Sequence, residues 1–68
     1  MPDTVTANGR LLDVRLPCTL EQFLVAHGQR PRSVVVELNG EAIPPSEFGT
    51  SPLGAGDRLE IVTIVAGG

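Results

Sequence analysis

A chain of 68 residues with a 41% hydrophobic fraction can build one small domain around one core, near the lower size limit for folding without staples. A formal charge of −3, spread without like-charge runs and with five scattered arginines, excludes the clustered basic surface of a nucleic-acid binder and suits a protein that meets a basic patch on a partner. A lone cysteine and a lone histidine exclude an internal disulfide, a cysteine-rich zinc site and a His-paired metal site.

In chain order, Asn8-Gly9 is the strongest turn signal, because Asn-Gly favours the paired positive φ angles of a type I′ hairpin turn. Before it Val5 and Ala7 alternate with Thr4 and Thr6. After it Leu12, Val14 and Leu16 alternate with Asp13 and Arg15. The pattern predicts a half-buried antiparallel hairpin. In "PCTLEQFLVAHG", Thr19 and Gln22 have capping-box spacing, and Cys18 and Phe23 stand at the two positions of a hydrophobic staple. Leu20, Phe23, Leu24 and His27 share one helical face, and Gly28 closes a helix of roughly two turns.

"SVVVELNG" reads as a third strand ending in a second Asn-Gly turn, and "EAIP" as a short extended piece with Ile43 inward. Pro44 and Pro45 stop that strand. A turn-rich connection follows, anchored by Phe48 and Leu53, and Gly56-Asp57 turns the chain into "RLEIVTIV". That strand is the most apolar and belongs in the middle of the sheet. Hairpin, helix, strand, irregular crossing and strand make an α+β two-layer domain over residues 1–68. The expected core holds Val5, Leu12, Val14, Phe23, Leu24, Val36, Leu38, Leu59 and Ile61.

Enzyme constellations are missing. "GAGD" lacks the lysine and the helix of a phosphate-binding loop, and His27 fits a helix C-terminus better than catalysis. Cys18 at a helix start could be a nucleophile, but a staple explains it as a small hydrophobe. Glu37, Glu41, Glu47 and Glu60 read as solvated faces. No apolar signal region opens the chain, and no stretch reaches the ~20 apolar residues of a membrane span, so the expected location is the cytoplasm.

The ending "IVTIVAGG" carries the functional signal. Alternation puts Leu59 and Ile61 beneath the helix and turns Val62 and Ile64 to the uncovered face as exposed apolar residues. An apolar patch beside a flexible Ala66-Gly67-Gly68 tail suits a docking surface with a reactive arm. Two glycines would let the tail thread a narrow channel, and its carboxylate would need activation by another protein, most simply as an acyl adenylate. Lysine is absent, which removes an amine that an activated acyl end would attack.

The hairpin turn, "TLEQFL", "VVVELNGEAIPPSEF", "LGAGDRLEIVTIV" and the final Gly67-Gly68 together resemble the ubiquitin-like β-grasp sulfur carriers, most closely the ThiS family of thiamine biosynthesis. The resemblance implies a mixed sheet of four to five strands with one covering helix. It implies that the Gly68 carboxylate is adenylated by an E1-like, ThiF-like adenylyltransferase using ATP, with Ala66 and Gly67 threading the enzyme. No bound cofactor is implied. A thiocarboxylate then forms with sulfur from a donor such as a cysteine desulfurase and passes to a ThiG-like thiazole synthase. Pro45 stands where many relatives carry arginine, and Phe48 where tryptophan is frequent. The residues leave open a carrier for molybdopterin, cysteine or secondary metabolites, a modifier that forms isopeptide bonds to lysines, and a plain interaction domain.

Overall fold

The computed structural model describes residues 3–65. Strands β1 (Asp3–Ala7) and β2 (Arg10–Val14) form the predicted hairpin, with Val5 opposite Leu12 and Ala7 opposite Arg10. Its turn takes the conformation that Asn-Gly favours, with φ of 52° at Asn8 and 79° at Gly9. Helix α1 (Leu20–Ala26) follows. Its capping box is complete: the Gln22 N–H donates to Thr19 Oγ1 at 3.1 Å, and the Thr19 N–H donates to Gln22 Oε1 at 2.9 Å. At the other end Gly28 has φ of 75°. The Gly28 N–H reaches the Val25 carbonyl at 3.1 Å and the Gln29 N–H reaches the Leu24 carbonyl at 2.8 Å, a Schellman closure.

A one-turn 3-10 helix (Pro31–Ser33) leads into β3 (Val34–Leu38), the Asn39-Gly40 turn and β4 (Glu41–Ile43). The crossing read as irregular is a second 3-10 helix, Pro45–Thr50, with proline in its first turn. Then comes β5 (Arg58–Thr63). The sheet order is β2-β1-β5-β3-β4, with β5 parallel to β1 and antiparallel to β3. The last strand is therefore central, as its apolar sequence predicts, and the mixed sheet with one covering helix is the β-grasp arrangement.

The covered face packs Val5, Ala7, Val34, Val36 and Leu59 against Leu20, Phe23 and Leu24 of α1, with Phe48 and Leu53 filling the end of the core. Leu12, Val14, Leu38 and Ile61 are partly buried around that cluster rather than at its centre. His27 closes the helix as its C-cap residue and is exposed, with its ring 4.3 Å from that of Phe23 on the shared helical face. Two contacts fasten the start of α1 to the crossing: the Leu20 N–H donates to the Ser51 carbonyl, and the Leu53 N–H to that of Cys18.

Candidate functional site

The outer face of the sheet is built by the residues that alternate with the core. In the β3–β5 pair Val35 lies opposite Val62 and Glu37 opposite Glu60, while Val36 and Ile61 occupy the covered side. Val62 is 62% exposed, Ile64 52% and Val35 51%. These three and the 82% exposed Val65 crowd the end of β5, an apolar cluster at the point where the chain leaves the sheet. Beside it stand two carboxylates directly across from each other, an arrangement with no stabilising value within the domain.

Val62 and Ile64 thus lie where alternation predicts. Val35 belongs to the same patch and was not singled out from the sequence, although its place between the inward Val34 and Val36 carries that signal. Ala66, Gly67 and Gly68, the predicted reactive and threading positions, lie outside the described residues.

The end of β5 is also held in a way that composition and spacing do not reveal. Strand β1 stops at Ala7, opposite Leu59, so the second half of β5 runs on beyond its parallel neighbour. There the Asn8 side chain takes over. Its Oδ1 accepts from the Ile61 N–H at 2.7 Å, and its Nδ2 donates to the Ile61 carbonyl at 2.9 Å. The other Asn-Gly turn mirrors it at the strand's start, where Asn39 Oδ1 accepts from the Arg58 N–H at 2.9 Å and Nδ2 donates to Asp57 Oδ1 at 3.1 Å. On the β3 side the Ile64 N–H donates to the Ser33 carbonyl at 2.7 Å.

Among the described residues no group of three or more His, Cys, Asp or Glu side chains is placed to hold a metal, and no helix is long and apolar enough to cross a membrane. The Cys18 thiol is half-buried, and burial pushes its pKa up, away from nucleophile character. A hollow of about 960 Å³ is lined by Val25, Arg30, Arg32 and Pro45.

The ThiS family model matches residues 4–68. Over 61 residues the chain is 36% identical to a thiazole synthase from Paramagnetospirillum magneticum, covering 90% of this chain but only 19% of that protein's length. Among solved structures, the crystal structure of the thiamine biosynthesis protein ThiS from Geobacter metallireducens superposes with a TM-score of 0.81 at 28% identity, covering 96% of this chain and 99% of that one. A solution structure of a thiamine biosynthesis protein from the same organism gives 0.76 at 28% identity, covering 96% and 87%.

Proposed function

The chain belongs to the ThiS family, and from that membership we propose that it is a sulfur carrier whose own C-terminal carboxylate is the substrate. The observation that carries this reading is the reach of the family match, which runs through the terminal glycine pair. A carboxylate oxygen of Gly68 attacks the α-phosphorus of ATP on an adenylyltransferase, pyrophosphate leaves, and the acyl adenylate is formed. A persulfide whose outer sulfur comes from cysteine then displaces AMP to form an acyl disulfide, and a thiol cleaves the S–S bond, releasing the thiocarboxylate and leaving a disulfide on the donor. Gly67 and Ala66 thread the channel, and Val62 and Ile64 dock beside it. The carrier itself supplies no catalytic group.

Kinship with a protein named thiazole synthase supports thiazole formation as the destination of the sulfur. The exposed valines and the acidic pair Glu37 and Glu60 suit a partner surface that is apolar with a basic margin. Incubation with an E1-like adenylyltransferase, ATP and a sulfur source should add about 16 Da, the exchange of one oxygen for sulfur at a terminal acyl group. Deleting Gly68 should abolish the shift while the circular dichroism spectrum stays unchanged. Sulfur uptake by the truncated chain would refute the proposal.

A further inference from the structure

We infer that Asn8 is a positioning residue for the carrier reaction: its side chain fixes the end of β5, and with it the docking valines and the point from which the tail departs. The inference rests on the sulfur-carrier reading above. A turn alone does not need this side chain to reach across the sheet, since positive φ at Asn8 is compatible with glycine as well. The primary amide of Asn8 instead does what a further residue of β1 would do. It meets both the N–H and the carbonyl of Ile61, a residue 53 positions away in sequence, at 2.7 and 2.9 Å.

Without that bridge, the part of β5 beyond Leu59 would be paired with β3 alone. It would then behave as an edge, with one row of backbone groups open to water. Val62 follows Ile61 directly and Ile64 stands two residues further on, so fraying there would spread the orientations of the docking patch. Only the fraction of molecules with the patch aligned would engage the adenylating enzyme productively, and the apparent affinity falls in proportion to that fraction. A saturating enzyme would still select the aligned form. The consequence is a raised KM with kcat little changed.

Asn39 supplies the control, because its Oδ1 likewise accepts from a backbone N–H of the same strand, that of Arg58 at the opposite end, while its Nδ2 reaches the Asp57 side chain. Asn8→Gly and Asn39→Gly each keep a residue that accepts the turn's positive φ and each remove a side-chain bridge to β5. In the full-length chain, Asn8→Gly should speed exchange of the Ile61 amide at least tenfold. It should also raise KM for the carrier in ATP–pyrophosphate exchange by the adenylyltransferase at least threefold. Asn39→Gly should lower the melting temperature comparably and leave KM within twofold of wild type. A KM unchanged by Asn8→Gly, or raised equally by both variants, would overturn the positioning role and assign Asn8 to stability alone. If the wild-type chain is not adenylated at all, the carrier reading itself fails, and with it the reaction that Asn8 is said to serve.

Discussion

Phe48 has no exposed surface, whereas Pro45, Ser46, Glu47, Gly49 and Thr50 around it are all exposed. One ring therefore anchors an entire 3-10 turn to the core. Replacing it with alanine should cost ~3–5 kcal/mol, the range for truncating a buried phenylalanine, and that is a large part of the stability of so small a domain. Urea denaturation measures it, and a loss below ~1 kcal/mol would contradict the anchoring role. Cys18 yields a prediction of opposite kind. Burial raises its thiol pKa, so the folded chain holds that proton more tightly than the unfolded chain. The associated stability is fully present below the unfolded thiol's pKa and is lost as pH rises through the folded value. Alkylation of Cys18 should consequently show an apparent pKa higher in the native protein than after unfolding in urea. An equal or lower native value would mean that the thiol is solvated or activated.

At the scale of elements, α1 is too short at seven residues to persist on its own propensity, and its ends are closed on both sides. Thr19→Ala should cost ~1 kcal/mol through the loss of the N-cap acceptor. Gln22→Ala removes the reciprocal half of the same box, so the double variant should lose less than the sum of the single losses. Full additivity in a double-mutant cycle would show that the two bonds act independently. This helix was legible because its cap, staple positions and closing glycine lie within ten residues of one another along the chain. The hairpin and the apolar last strand were legible for the same reason, their signal being local. The Pro45–Thr50 helix was read as turns because two prolines and a glycine mask a six-residue element held mainly by one buried ring. The Asn8 bridge escaped because the spacing of Asn-Gly explains the turn completely, while its partner lies in a strand that only the folded topology brings near.

For the molecule as a whole, the sheet has one covered face and one bare face, and its central strand carries a residue pattern that serves both. Leu59 has no exposed surface and Ile61 packs against the core, while Val62 and Ile64 on the opposite side are more than half exposed. A domain that needed these two side chains for its own stability would have covered them. If they instead meet the activating enzyme, burying each would contribute ~1.5–3 kcal/mol before the cost of association is deducted. Val62→Asp combined with Ile64→Asp should therefore weaken binding to the adenylyltransferase at least tenfold, and Val35→Asp should weaken it in the same direction because Val35 lies directly across from Val62. The melting temperature is the decisive control. A fall of many degrees in the double variant would place the two residues in the stabilising core, whatever their exposure. With folding intact, calorimetric titration against the enzyme reads the docking contribution alone, and wild-type affinity in the double variant would leave recognition to the tail.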